Sequence, residues 1–600
     1  MLRNHRVSLV SFDALAAGEG NAAIAGRLKQ THRSRQLALV RAVLDRASAR
    51  APGLGPLPTL EAAWWLLSEA QQADPGAAEA VITNPQLGLW AAKALRRLGN
   101  TATSDTPLWA DLGYLHLTAT AAAIRAGLDF RARVPVSHGV VVLPTLGMAE
   151  LSGARPWDIA EVHSERGRVL VRGAAGSVRL PPDPAGDGLG WHALRLLRVG
   201  DDANPLEVWL DDLDPYRGFD EPLEPQRVSA EESSAWQSGL AAAWRLLTEH
   251  HPTLAGEISA GLTTLVPRPA TGRLDSFSAS HGDTFGCIVL SLPPDATGFA
   301  ATLIHEFQHS KLGILLELLD LVGADTGGDR FYAPWRDDPR PLIGLLHGVF
   351  SYLGVTAFYR THRTVATGAD ARLSHFEFAY RREQASEATA ALSGLPELTP
   401  LGRRFVTTAA GRLAQWQGEP VPEDLLAAAR RANLDHRLTW RLRHLLADPA
   451  TVGELARAWL GNRRRPHLRL PEPALRAGPG PGQGPGQGPA IRAELTRVRL
   501  GDPELFAVYR DSPELANSEL PGTTPADLAL VGDAHTTAAR EFRARVTADP
   551  AEPGLWAGLA LATANPALLS APELVRAVHR AITDLSGEAP DPLRLATWLS

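Results

Sequence analysis

Asp295-Ala-Thr-Gly-Phe-Ala-Ala-Thr-Leu-Ile-His-Glu-Phe-Gln-His-Ser-Lys-Leu312 is the stretch on which the reading of this chain turns. It contains His305-Glu306-Phe307-Gln308-His309, an HExxH pattern set in an apolar, helix-spaced run. Two histidines four apart on a helix lie about 40° apart around the axis and one turn along it, so both imidazoles can face one cation. Glu306 then projects near the same point, where a carboxylate can activate water, bridge to an ion or orient a ligand. The competing reading is a pair of helix-surface histidines that share solvent and Glu306.

Upstream, Asp275 to Ser291 alternates and then becomes an apolar, strand-like run that Pro293-Pro294 ends. Asp295 or Thr297 supplies a cap, and the spacing predicts a helix from near Phe299 through Val322 with the motif in its first turns. Strand, short loop and HExxH helix is the arrangement of a zincin-type cleft. The expected fold class is α+β, mostly helical: a zincin-like strand and HExxH-helix core, an N-terminal helical region and a small C-terminal helical unit.

The chain has 600 residues, too many for one ordinary core, so two to four domains are expected. A net charge of −6 gives no electrostatic footprint for nucleic acid or an anionic membrane. Lysine occurs only at positions 29, 93 and 311, and arginine supplies the other basic residues. With abundant Ala, Gly and Pro, that usage suggests a GC-rich bacterial genome more than any function. Cys287 is the only cysteine, which excludes an internal disulfide, a Cys-rich zinc site and a protein-ligated iron–sulfur cluster. The N-terminus lacks the apolar core of a signal peptide, and no uninterrupted apolar run is long enough to span a bilayer. A cytoplasmic location is therefore expected.

Residues 1–130 read as an N-terminal helical domain, with helices over Ala22–Ser48, Leu60–Ala73, Pro85–Leu98 and Pro107–Ala126 and with Trp64, Trp65, Trp90 and Trp109 as core anchors. Residues 131–470 read as the HExxH domain, β-rich over 131–226, with strands at Val134–Leu143, Arg168–Leu180 around a Gly-rich turn, and Glu207–Leu210. Ser229-Ala-Glu-Glu232 is a capping box that starts a helix to about His250. Residues 471–490 are a Gly/Pro linker, and 491–600 a mostly helical, repeat-like unit. Within it, Pro525–Ala548 and Leu555–Ala564 resemble one helical-repeat hairpin, which cannot bury its own face and so must pack on the main body or bind a partner.

A catalytic metal site usually takes three protein ligands. The metzincin extension is absent, since Leu312 and Leu315 occupy its glycine and histidine positions. The best third candidate is His347, flanked by Gly344 and Gly348 on the next helix, where a neighbour or ligand can approach the backbone. Glu317, and His375 with Glu377, are weaker alternatives. In Phe331-Tyr-Ala-Pro-Trp-Arg-Asp-Asp-Pro-Arg340, Arg336 and Arg340 are candidates to fork a small carboxylate, or else pair with Asp337 and Asp338. Tyr332 and Trp335 are candidates for substrate contact or for anchoring the loop. His281, beside Asp283 near the strand, is a candidate for peptide contact, with turn capping as its competing role.

Leu303–Leu312, Phe331–Leu342 and Leu346-His-Gly-Val349 together resemble the HExxH-type peptide-modifying proteins of bacterial ribosomal-peptide pathways, which occur alone or fused to a radical-SAM domain. Phe12-Asp-Ala-Leu-Ala-Ala-Gly18 also looks like their N-terminal region. The resemblance implies an iron(II)- and 2-oxoglutarate-dependent oxygenase that hydroxylates the β-carbon of a residue in a precursor peptide. It implies that His305, His309 and His347 hold the iron and that Arg340 or Arg336 grips 2-oxoglutarate. Glu306 is then a neighbour or weak ligand of the ion and not a general base. No radical-SAM domain is present, so any cyclisation of the peptide falls to a separate maturase.

The main rival is a zinc metallopeptidase in which Glu306 activates zinc-bound water and the peptide is cleaved. A third reading is a non-catalytic scaffold that binds a leader peptide.

Overall fold

The computed structural model describes the chain except for 1–4, 50–54, 154, 220, 270–276, 324–327, 329 and 477–490. Asp275, at the head of the expected strand, and the Gly/Pro linker from Ala477 onward lie outside the described residues. The fold is α+β with helix predominant. Contacts divide it into two compact units, one of Met1–Leu15, Glu19–Thr271 and Asp275–Leu319, the other of Ala16–Gly18, Gly272–Leu274 and Asp320–Ser600. This partition differs from boundaries near 131 and 471 because the elements on either side of those positions share cores.

In the first unit, helices Ala22–Ala49, Leu60–Ala73 and Pro85–Leu98 lie where their apolar spacing places them. Trp90 is fully buried, but Trp65 is 69% exposed. Its helix buries Leu60, Ala63, Leu67 and Ala70, a three- and four-residue stripe from which position 65 points away. The expected Pro107–Ala126 helix breaks at Gly113 into Leu108–Leu112 and Tyr114–Arg125, and Pro75–Ile82 is a further helix.

Seven antiparallel strands follow: β1 (Phe130–Ser137), β2 (Val140–Leu143), β3 (Gly147–Glu150), β4 (Trp157–Glu165), β5 (Arg168–Arg172), β6 (Ser177–Arg179) and β7 (Trp191–Ala193). They pair in the order β6-β5-β4-β1-β2-β3-β7. The strand expected over Val134–Leu143 is two, because His138 and Gly139 both take positive φ, 49° and 81°, in a two-residue hairpin turn. Val134, Val162 and Val171 of this sheet share one core with Leu115, Ala119 and Ala122 of Tyr114–Arg125. Helices and sheet therefore bury apolar surface against each other.

The second sheet consists of β8 (Arg195–Val199), β9 (Leu206–Leu210), β10 (Thr264–Pro267), β11 (Ser278–Ala279) and β12 (Cys287–Leu290), in the order β11-β12-β10-β9-β8. β9, β10 and β12 run parallel, and β11 and β8 are antiparallel edges. The apolar run before Pro293 thus divides into a short edge strand and a fully buried inner one. Asp295 then accepts from Gly298 N at 2.7 Å and caps helix Ala296–Leu318. That helix begins at Ala296, before Phe299, and ends short of Val322, so His305 stands in its third turn. Ser229 forms the predicted capping box on helix Ala230–His250, whose Trp236 meets Phe299 edge-on at 5.9 Å.

In the second unit, helices Leu342–His362, Gly368–Leu392, Pro400–Gln417, Glu423–His444 and Pro449–Leu460 precede nine more from Ile491 to Leu599 among the described residues. Most of the nine start at proline, whose missing N–H costs nothing in a first turn. Asp502, Thr524, Asn565 and Asp591 cap four of them. The helix expected over Pro525–Ala548 is two, Pro525–Val531 and His535–Ala548. Leu438, Leu442 and Leu455 share a core with Phe542, Trp556 and Val578, so the C-terminal helices do pack on the preceding ones. Arg492 adds ion pairs to Asp435 at 2.7 Å and Asp527 at 3.1 Å. Against the expectation that no apolar run is long enough to span a bilayer, helix Leu342–His362 is long and apolar enough to do so, although 67% of its apolar window is buried inside the protein.

Candidate metal centre

Helix Ala296–Leu318 is buried along most of its surface, between the second sheet and helix Ala230–His250. Its accessible stripe includes Thr302, His305, His309 and Leu316, which recur at helical spacing. The Nε2 atoms of His305 and His309 are 3.2 Å apart, with the rings at 78°. Two imidazoles on one ion at about 2.1 Å each bring their nitrogens to roughly 3.0–3.4 Å. The pair therefore suits a shared ion as well as a mutual hydrogen bond.

Glu306, between the two histidines in sequence, is 2% exposed. Its Oε1 accepts from Ser278 Oγ at 2.8 Å and lies 4.0 Å from His305 Nε2. Oε2 has no hydrogen-bond partner among the described residues. Burial pushes this carboxyl above its ordinary range, and hydrogen bonds from Ser280 and Ser278 oppose that shift. The HExxH spacing does not point to these serines. The available signal was alternation, since Ser278 and Ser280 share one face of an extended segment and Phe277 and Ala279 the other.

His281 stacks on Phe219 with ring centres 5.4 Å apart, and its Nδ1 accepts from Asp283 N at 3.1 Å. Its carbonyl accepts from Thr284 Oγ1 at 3.0 Å, so its contacts are those of a turn cap. Asp283 pairs with Arg35, which also binds Glu317 at 2.8 Å. Glu317 stands eight residues past His309, a rise of about 12 Å, which removes it as a third ligand.

His347, Arg340, Trp335 and Tyr332 belong to the second unit. The strand pair β13 (Arg330–Phe331) and β14 (Arg340–Pro341) brackets the aromatic loop and leads into helix Leu342–His362. A Cβ at Gly344 would sit 3.2 Å from Arg340 Nε, and one at Gly348 would overlap the Trp335 indole. The two glycines beside His347 thus admit these neighbours to the helix backbone. Burial, then the Arg340 charge, pushes the His347 imidazole down to about 4, so it is neutral near pH 7.

Arg336 and Arg340 both pair with Asp338, at 3.0 and 3.1 Å. Arg340 is the more enclosed of the two. Trp335 packs on Tyr352 at 4.9 Å, and Tyr332 donates to or accepts from His436 Nδ1 at 2.9 Å and meets Trp440 edge-on. These are anchoring contacts for both aromatics. The weaker third-ligand candidates are engaged: His375 lies 3.3 Å from Arg363, and Glu377 is buried between Arg381 at 3.0 Å and Arg497 at 2.6 Å.

Among the described residues, no three or more His, Cys, Asp or Glu side chains are grouped to hold an ion. No protein-family model matches the chain, and no curated protein matches it.

Proposed function

We propose that the chain is an iron(II)- and 2-oxoglutarate-dependent oxygenase that hydroxylates the β-carbon of a residue in a ribosomally synthesised precursor peptide. The observation that carries this reading is the His305 and His309 pair, with Nε2 atoms 3.2 Å apart on the accessible stripe of a helix that is otherwise largely buried. The resemblance of the HExxH, Phe331–Leu342 and Leu346–Val349 stretches to the peptide-modifying proteins supplies the reaction class. We read β11, β12 and helix Ala296–Leu318 as a zincin-like core, which the short edge strand beside the motif supports.

On this reading the ligands are His305 and His309, with His347 carried over as the third by the resemblance alone, all imidazoles, a donor type suited to iron(II). When bound, iron with 2-oxoglutarate and dioxygen supplies oxidation in which one oxygen atom enters succinate, with loss of carbon dioxide, and the other the peptide C–H bond. Arg340 is the cosubstrate-carboxylate residue, favoured over Arg336 by its enclosure. Glu306 stabilises the motif turn from within, held by Ser278. The partner is the precursor peptide, a separate radical-SAM maturase would perform any cyclisation, and we place the reaction in the cytoplasm.

A zinc metallopeptidase is the second reading, favoured by the Glu306 carboxylate 4.0 Å from His305 Nε2, near enough to the motif imidazoles to take a proton from bound water. Anaerobic loading with iron(II), then 2-oxoglutarate, oxygen and the precursor peptide, tests both. Succinate with a gain of one oxygen on the peptide is expected. Cleavage supported by zinc and indifferent to 2-oxoglutarate overturns the oxygenase reading.

A further inference from the structure

Helices Glu423–His444, Ile491–Gly501, Pro503–Asp511 and Pro525–Val531 of the second unit surround a cavity of about 400 Å³. Small side chains are part of its lining: Ala428 and Ala432, one turn apart, Thr496 on the second helix and Ala507 on the third. Leu425, Leu500, Phe506, Leu530 and Val531 make its wall apolar.

The charges on its lining are unevenly answered. Arg372 is matched by Asp424 at 2.7 Å, and Arg492 by Asp435 at 2.7 Å and Asp527 at 3.1 Å. Arg431 and Arg499 share one carboxylate, Asp533, at 2.8 and 2.7 Å, and Arg499 also donates to the Val531 carbonyl. Arg510, whose stem passes 3.6 Å from where a Cβ of Gly532 would lie, makes no hydrogen bond or ion pair among the described residues. With Asp527 also on Arg492, five arginines face four carboxylates, so the surplus positive charge lies at Arg510 and at the shared Asp533.

Guanidinium forks suit carboxylates, and the volume falls in the range of roughly 300–1,000 Å³ that accepts small-molecule-sized groups. The Arg431 and Arg499 side chains are 32% and 40% exposed, so a bound group continues past the rim into solvent. That favours one residue of a longer molecule over an enclosed metabolite.

We propose that this cavity binds an acidic peptide segment, with an aliphatic side chain seated among Leu425, Phe506 and Leu530 and flanking carboxylates held by Arg431, Arg499 and Arg510. The inference goes beyond the oxygenase reading and stands whether or not the chain binds iron. The test is fluorescence anisotropy of a labelled synthetic peptide of alternating Leu and Glu pairs with the full chain, beside its Leu and Lys counterpart. Saturable, salt-sensitive binding of the acidic peptide alone is expected, weakened roughly tenfold or more by Arg510→Glu and by Ala507→Trp, which fills the hollow. Arg510 is exposed, so Arg510→Glu carries the test if the tryptophan variant does not fold. Failure of the acidic peptide to bind, equal binding of the lysine peptide, or binding unaltered by Arg510→Glu overturns the proposal. Binding of citrate or inorganic phosphate where the peptide does not bind assigns the cavity to a small anion instead.

Discussion

Ser278 on the edge strand donates its hydroxyl to Glu306 on the HExxH helix at 2.8 Å, and so joins the second sheet to the residue beside the first histidine. The bond holds one carboxylate oxygen inside the protein while the imidazoles of His305 and His309 remain on the accessible stripe. The turn thereby keeps a buried carboxyl 4.0 Å from the imidazole nitrogen of His305.

His305→Ala and His309→Ala are each expected to abolish stoichiometric metal binding while unfolding within about 1 kcal/mol of the parent, since both side chains are only half-buried. Metal content after anaerobic loading and dialysis, read beside urea unfolding, checks this. Full metal retention in either variant removes the site. His347→Ala should weaken metal retention without abolishing folding, and unchanged retention removes it as the third ligand.

Arg340→Ala should raise the 2-oxoglutarate concentration needed for half-maximal succinate formation roughly tenfold or more, with metal content unchanged. Arg340→Lys should not restore it, because an ammonium lacks the planar fork. An unaltered requirement in both Arg340 and Arg336 variants places the clamp elsewhere.

Lys311 and Glu257 form an ion pair buried to 1% and 2% exposure, tying the HExxH helix to helix Pro252–Gly261. Lys311→Met should cost about 3–5 kcal/mol, because it leaves Glu257 buried without its cation. Lys311→Met with Glu257→Leu should recover much of that loss. A double variant no more stable than the single would show that packing and not charge sets the cost.

Burial pushes the Glu317 carboxyl up to about 7, against the ion pair with Arg35 that favours its charged form. Below about pH 4.5 the carboxyl is protonated in both folded and unfolded chains, and above about 7 it is ionised in both. Between those limits the folded chain binds more protons, so stability falls as pH rises. Glu317→Gln should flatten this fall in urea unfolding measured at pH 5 and pH 7. An unchanged slope would mean that the Arg35 pair keeps the carboxyl in its ordinary range.

The elements legible in the sequence are those whose cause lies within a turn or two of chain. Asp295 caps a helix because its own side chain reaches Gly298 N, and Ser229 and Glu232 bond reciprocally across three residues. The proline starts of the C-terminal helices and the apolar stripes of Ala22–Ala49 and Leu60–Ala73 are of the same kind. Trp65 was illegible, since an aromatic residue declares apolar area but not which side of its helix finds a core. The His138-Gly139 turn hid within an apolar run because only glycine, and not its histidine neighbour, signals positive φ.

The HExxH spacing by itself determined that His305 and His309 share a helix face, because four residues make little more than one turn. Only the tertiary structure decided what stands against that helix. Ser278 meets Glu306 from 28 residues away, Glu257 meets Lys311 from 54, and Arg35 meets Asp283 from 248. Such pairs depend on strand order and helix packing, which are set by how whole apolar faces bury one another and leave no mark at any local spacing.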